Sequence, residues 1–532
     1  MSTDVKRHVQ TRGPFHREKD LRRILGVLGM FTAFAGFFLH PRPFSGGGEQ
    51  IAVADSLVQH GVFGNPFIAT LATGPTAHLA PFQPFFLALL SIIFGKFASA
   101  AATFCVCAAQ GIHAALLPRV ARFILGRSLP GVIGSAIAIL LPIFSVVPAW
   151  ESMYSALAAM AFCVFVQRVE TARQAILSGL LAGAILLLNP ALAIFMACWI
   201  GYRFWLSATG IPAMARFLLV LGASALLVIL PWEVRNARAL GSPAFIRDNL
   251  GLELYISNSD CARKNLLLNI ETGCHELMHP IGSPEEAGAV LKMGEIAYNR
   301  DRMGRAMNWI RKHPRAFWNL TGQRFIEYWF PEGWPAIGLA TILAFLGLAG
   351  LVAGRKPEAP FFLATLAICP LLYYFVEGDG RYRQPLMWVT LLLAGVALES
   401  GIARVGPRVP GLGGILYKST FPPEITTPTL LNPGGNFPNS TAAADTAPLG
   451  STTSFMRSIR NRIASRISSS VTNKISSTNF CIIGNVSLPG EGDRNPSAIV
   501  SGGGIVTRSP FRIDCQVSLA NSGSAPKTRI PG

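Results

Sequence analysis

Charge is scarce in this chain. Only 14% of its 532 residues are Asp, Glu, Lys or Arg, against about a quarter in soluble domains, which excludes an ordinary water-soluble fold. The first apolar run follows a long polar arm and lacks a small-residue cleavage site, so it is a signal anchor and not a removed leader. Paired repeats with broken helices, the mark of many transporters, are missing as well. Cysteine is sparse: of nine residues, Cys261 and Cys274 alone lie outside both the apolar runs and the tail. In an oxidising compartment they can staple a loop or remain two thiols; the sequence leaves both open. The net charge of +18 does not mark a nucleic-acid binder. Its excess falls in short loops between apolar runs, where the positive-inside rule places it.

Long apolar runs are what the chain has instead. They occupy 24–39, 100–118, 129–147, 152–167, 175–189, 190–207, 214–231, 336–354, 359–375 and 385–401. Backbone in hydrocarbon must satisfy its own hydrogen bonds, so these runs are helices. The expected fold is an all-α polytopic membrane protein of about ten transmembrane helices, with an outer juxtamembrane helix and a mostly helical outer loop domain. Five regions follow. A basic arm, 1–23, carries Lys6, Arg7, Arg12, Arg17, Lys19, Arg22 and Arg23. A first membrane module, 24–231, contains the outer loop 40–99. An outer loop domain, 232–335, precedes the last helices, 336–405. The tail, 406–532, is rich in Ser, Thr and Gly and has no core pattern; within it Phe455, Ile459, Ile463, Ile467 and Val471 are spaced as on a basic interfacial helix. Segment 80–98 is apolar enough to cross. If it stays on the outer face, the clusters Arg119/Arg122/Arg127, Arg168/Arg173, Arg203/Arg216, Arg355/Lys356 and Arg404/Arg408 all fall inside. Pro81 and Pro84 also disfavour a straight helix at its start.

On that topology 40–99, the loop at Glu151, 232–335 and 376–384 meet on one face, where chemistry is expected. Glu49 follows a glycine run at the mouth of the bundle. A partly desolvated carboxylate there suits proton abstraction; the bland reading is a solvated loop residue. Asp55 is a rival further along the same helix, and Glu151 lies on a second loop. Arg381 and Arg383 flank Tyr382 and can clamp a phosphate, with Arg235 and Arg247 behind them, or simply anchor the interface. Ser283-Pro284 starts a helix that runs through Glu295 towards Trp309 and ends at His313-Pro314. The run His275-Glu276-Leu277-Met278-His279 is a literal HExxH. Gly273 and Pro280 bracket it, so no stable helix carries both histidines and the zinc-protease match reads as coincidence.

Several stretches together resemble the GT-C superfamily of membrane glycosyltransferases. They are GGGEQIAVADSL at Glu49, TGPTAHLAPFQPFFLALLSIIFG, Pro148-Ala149-Trp150-Glu151, LPWEVRNARALGSPAFIRDNLGLELYISN and RYRQP. The likeness spans 20–405 and is nearest to the protein mannosyltransferases and lipid A aminoarabinose transferases. Two departures stand out: the first-loop acid is Glu49 where many relatives have Asp, and their HPP reads His78-Leu79-Ala80-Pro81 here. The resemblance implies a polyprenyl-phosphate sugar donor, a site on the outer face of the inner (plasma) membrane, and a first-loop carboxylate, Glu49, that acts on the acceptor or holds a metal near it. Glu49 and Glu151 are then the candidate catalytic pair. Asp55, His78, Arg235, Arg247, Arg381, Tyr382 and Arg383 are the candidate binding residues. A divalent cation, Mg or Mn, is the one cofactor in view, and membrane lipids are the partners, with no nucleic acid. A transporter or lipid flippase without transferase activity is the alternative.

Overall fold

The computed structural model describes residues 14–39, 48–141, 143–144, 147–207 and 210–405. Lys6, Arg7 and Arg12 of the basic arm, most of the glycine run and the whole tail lie outside them. Among the described residues the secondary structure is helical, with no named strand and two isolated bridges.

Five helical stretches are long and apolar enough to cross a membrane: Glu18–Leu39, Phe82–Leu125, Ile211–Leu240, Pro335–Ala353 and Gly380–Arg404. They mark the chain as a membrane protein. The other apolar runs form shorter helices, Leu129–Leu140, Ser152–Phe165, Ala172–Leu188, Leu192–Leu206 and Ala359–Phe375. At about 1.5 Å per residue a 15-residue helix covers only about 22 Å of a core about 30 Å thick. Ten full spans are therefore more than helix length supports.

Small residues let these helices approach closely, as packing in lipid requires. Gly26 and Gly29 of the Pro14–Leu39 helix meet Gly111, Ala114 and Ala115 of the Ala98–Leu125 helix. Gly179 and Gly183 meet the backbone at Leu221 and Ala225. Trp199, Trp388, Phe195, Phe361 and Phe362 fill the centre of the bundle and are fully buried.

Segment 80–98 is helical over Phe82–Phe94, and the helix breaks at Gly95, where φ is +50°. A short 3-10 turn, Gly95–Phe97, leads into the helix Ala98–Leu125. The polar region between the Ile211–Leu240 and Pro335–Ala353 helices folds as short helices. Ser283 caps the Pro284–Met293 helix by accepting from the Glu286 backbone N–H. The expected single helix is two: Gly294, at φ +80°, ends the first, and Glu295–Lys312 follows. Periodicity hides the break because the apolar stripe resumes in register. His313-Pro314 does end the second, and Pro314–Trp329 leads back to the bundle. Cys261 and Cys274 form a disulfide.

Arg324, buried on this last helix, ties the region together. Its guanidinium donates to the Ser257 carbonyl, to Phe375 O at 3.2 Å and to Asn258 Oδ1 at 3.4 Å. The loop 376–384 is pinned beside it: Leu266 N donates to Gly378 O and Gly378 N to Lys264 O, each at 2.9 Å.

Candidate functional site

Glu49 sits in the first turn of the Gly48–His60 helix. Two buried histidines face it from distant parts of the chain. His78 Nε2 lies 3.2 Å and His279 Nε2 3.3 Å from the same oxygen, Oε1. Phe67 packs edge-on against both imidazoles, 5.1 and 5.6 Å between centroids.

Local folding explains how His279 arrives. Gly273 adopts φ +72° and starts a helix of five residues, Cys274–Met278, closed on the next turn by Pro280. His279 lies just past its end, in extended backbone. As expected, then, no helix carries both histidines of the HExxH. The His275 and His279 rings stack at 4.7 Å instead of converging on one point, and Glu276 is exposed. What sequence reasoning missed is that His279 belongs to Glu49 and His78. No local signal could have found this, because its partners lie some two hundred residues away.

His78 is held by its backbone. Its N–H donates to Thr76 Oγ1 at 2.9 Å, and its carbonyl accepts from Arg247 Nε at 3.0 Å. Arg235 donates to Thr76 O at 2.6 Å and Phe63 O at 2.5 Å and stacks over Phe63 and Trp232. These arginines build the loop that presents His78. Buried Glu295, which sequence reasoning read only as a helix residue, underlies the loop. It accepts from the Thr76 hydroxyl and from Ala77 N at 2.6 Å.

On the other side of Glu49, Gln50 Nε2 donates to Glu151 Oε2 at 2.8 Å. Glu151 is thus tied to the residue that follows Glu49. Arg381 lies over the Trp150 ring at 4.7 Å and beside Asp379 at 3.3 Å, close enough to act on Glu49 electrostatically. Tyr382 stacks on Tyr373 at 4.7 Å. Arg383 turns the other way. It is buried and donates to Tyr328 O at 2.9 Å, to Trp329 O at 3.0 Å and to the Thr341 hydroxyl. The expected two-arginine clamp is reduced to Arg381, because a 3-10 turn points neighbouring side chains to different sides. Asp55 lies further along the Gly48–His60 helix, about 120° round its axis from Glu49.

Burial would raise the Glu49 carboxyl, but His78, His279 and Arg381 outweigh it and hold it well below the usual carboxylate range. His78 is the converse: burial lowers it, and Glu49 raises it above an ordinary imidazole. Burial holds His279 down at about 3 despite Glu49, so it is neutral at pH 7. Glu49, His78 and His279 each offer one ligand atom, all within 4.8 Å of one another. One carboxylate oxygen and two imidazole nitrogens suit zinc or manganese better than magnesium, which prefers oxygen alone. Titration calorimetry with zinc or manganese is expected to register one site, lost in His78→Ala and in His279→Ala and kept in His275→Ala. Retention in His279→Ala would restrict that histidine to packing.

Glu377 is another buried carboxyl. Burial raises it to about 7, with Glu253 and Asp379 adding to the rise and Asn269 and Arg381 opposing it. Its folded value lies above the unfolded one, so its contribution is full below about pH 4.5 and is lost as pH rises through 7, about 3 kcal/mol in all. Glu377→Gln is expected to match wild type in thermal unfolding at pH 5 and to exceed it at pH 8. Equal melting at both values would remove Glu377 as the source.

No protein-family model matches the chain, and no curated protein matches it either.

Proposed function

We propose that this membrane protein is a glycosyltransferase that moves a sugar from a polyprenyl-phosphate carrier to an acceptor hydroxyl at the outer face of the inner (plasma) membrane. The observation that carries the reading is Glu49, an acid at the end of an apolar bundle, placed between His78 and His279 with Arg381 as the nearby cation.

Transfer makes one bond and breaks one. The acceptor oxygen attacks the anomeric carbon of the donor. The bond from that carbon to the phosphate oxygen breaks, and the lipid phosphate leaves with the bonding electrons. Arg381 offsets the negative charge that develops on it. The acceptor proton passes to Glu49. In the free site the cationic surroundings make Glu49 a weak base; a phosphate at Arg381 cancels part of that field and strengthens it. A divalent cation on Glu49, His78 and His279, when bound, would supply a Lewis acid for phosphate oxygens. Glu151, tied to Gln50, orients the acceptor.

The test is to incubate the purified chain with a panel of polyprenyl-phosphate sugars and a lipid or glycan acceptor, and to follow release of polyprenyl phosphate. Release with at least one donor is expected. No release from any donor, with the protein folded, would defeat the reading.

A further inference from the structure

From Arg302 to Ile326 the chain has no acid. Its cations there are Arg302, Arg305, Arg311, Lys312, Arg315 and Arg324. Arg302 and Arg305 both pair with Asp301, and Arg324 is buried on backbone carbonyls. Arg311, Lys312 and Arg315 remain, all exposed and without an ion-pair partner among the described residues. Two acids of the region are already engaged. Asp260 accepts from Trp309 Nε1 at 2.7 Å, and Glu327, the one acid of the Pro314–Trp329 helix, pairs with Lys264 at 3.3 Å.

The Pro314–Trp329 helix lies along the bundle and not out in water. Near its start Phe317 stacks on Phe375, the last residue of the apolar Ala359–Phe375 helix, at 5.9 Å. Near its end Phe325 meets Tyr374 at 5.2 Å and Trp329 meets Phe345 at 5.1 Å. Trp329 O also accepts from the Thr341 hydroxyl at 3.0 Å. Thr341 and Phe345 belong to the spanning helix Pro335–Ala353, and Phe345 lies about 15 Å along it from its start. The end of the Pro314–Trp329 helix is therefore level with apolar residues of a membrane helix. Its open face is apolar as well. Trp318 is 63% and Ile326 61% exposed, and Phe325 and Phe330 are exposed beside them. Arg315, Trp318, Gly322 and Phe325 follow one another at helical spacing on that face.

Exposed apolar surface of this kind marks a contact, and its place beside a spanning helix selects lipid as the occupant. Tryptophan suits the boundary between tails and headgroups, and a helix with one apolar face and cations at its edge suits the plane of that boundary. The three unshared cations select the headgroup. A lipid of net negative charge gains from all of them, whereas a zwitterionic lipid brings its own ammonium group against them. We propose that the Pro314–Trp329 helix lies in the bilayer interface, with Trp318, Phe325 and Ile326 among the lipid tails, and that Arg311, Lys312 and Arg315 bind anionic phospholipid headgroups of that leaflet. This lipid contact is independent of the transferase reading.

The test uses the full chain in nanodiscs of equal parts phosphatidylglycerol and phosphatidylcholine. The photoreactive residue benzoylphenylalanine replaces Trp318 or Phe325, and adducts are identified by mass spectrometry. The same residue at exposed Glu285, on the Pro284–Met293 helix, sets the background. Lipid adducts above that background are expected at both 318 and 325. At 318 phosphatidylglycerol should predominate. Arg315→Gln should lower that predominance about fivefold, the equivalent of about 1 kcal/mol for one cation near an anionic surface. Replacing Arg311, Lys312 and Arg315 together by glutamine should abolish it. All three are exposed, so the melting temperature should hold, which guards against a folding artefact. Protein adducts in place of lipid at 318 and 325 would give the face to a partner protein and overturn the interfacial placement. Equal adducts with the two lipids in the unsubstituted basic cluster, or a predominance that survives the triple replacement, would overturn headgroup binding by these cations.

Discussion

Replacing Glu49 by glutamine is expected to lower turnover by about a hundredfold or more, the usual worth of a positioned general base. Glutamine keeps the length and shape of the side chain but cannot take the acceptor proton. Donor affinity should change little, because the phosphate is assigned to Arg381. Asp55→Asn is the control. Asp55 shares the Gly48–His60 helix but lies about 120° away from the His78–His279 side, so its loss should be mild. The measurement is the rate of polyprenyl phosphate release at saturating donor, with donor binding determined separately. A dead Asp55→Asn beside an active Glu49→Gln would mean that the wrong carboxylate has been chosen. Two active variants would remove base catalysis from this helix altogether.

Helix positions were the most legible part of this chain, because burial in lipid writes them as uninterrupted apolar runs. Local punctuation was legible too: the cap at Ser283, the stop at His313-Pro314 and the failure of the HExxH helix all follow from short-range backbone chemistry. Span number was not. A run such as 190–207 reads as a crossing segment, yet its helix is Leu192–Leu206, shorter than a straight crossing needs. The break at Gly294 was equally hidden, since one glycine inside a periodic stretch is compatible with a continuous helix.

In the site, Glu49 stood out as an acid beside an apolar bundle. Its histidines did not. His78 and His279 meet it through tertiary folding, and neither carries a local pattern that names the other. Glu295 and Arg324 lie on polar helices where a charged residue is ordinarily solvated; only the folded chain shows each of them buried against backbone groups. Arg381 and Arg383 gave the opposite error. Their spacing suggested a shared job, and the turn between them separates it.

That separation predicts two different failures. Arg381→Ala is expected to weaken donor binding by about 10–100-fold, corresponding to about 1.5–3 kcal/mol for a hydrogen bond to a charged group, with little change in melting temperature. The Arg381 backbone N–H, which donates to Asp379 Oδ1 at 2.9 Å, survives the substitution and keeps the turn in place. Arg381→Lys should rescue only in part, because lysine lacks the planar fork that meets two phosphate oxygens. Arg383→Ala should instead lower the melting temperature. It strips donors from the Tyr328 and Trp329 carbonyls, where the Pro314–Trp329 helix ends, and from the Thr341 hydroxyl. The Trp329 carbonyl keeps the Thr341 hydroxyl as a donor at 3.0 Å, so the loss falls mainly on the Tyr328 carbonyl, at about 1–3 kcal/mol for a buried group left unpaired. Thermal unfolding and donor titration on both variants separate the two roles. Arg383→Ala with wild-type melting and no donor binding would restore the two-arginine clamp. Arg381→Ala with full donor affinity would leave the phosphate without its cation and would require another group to hold it.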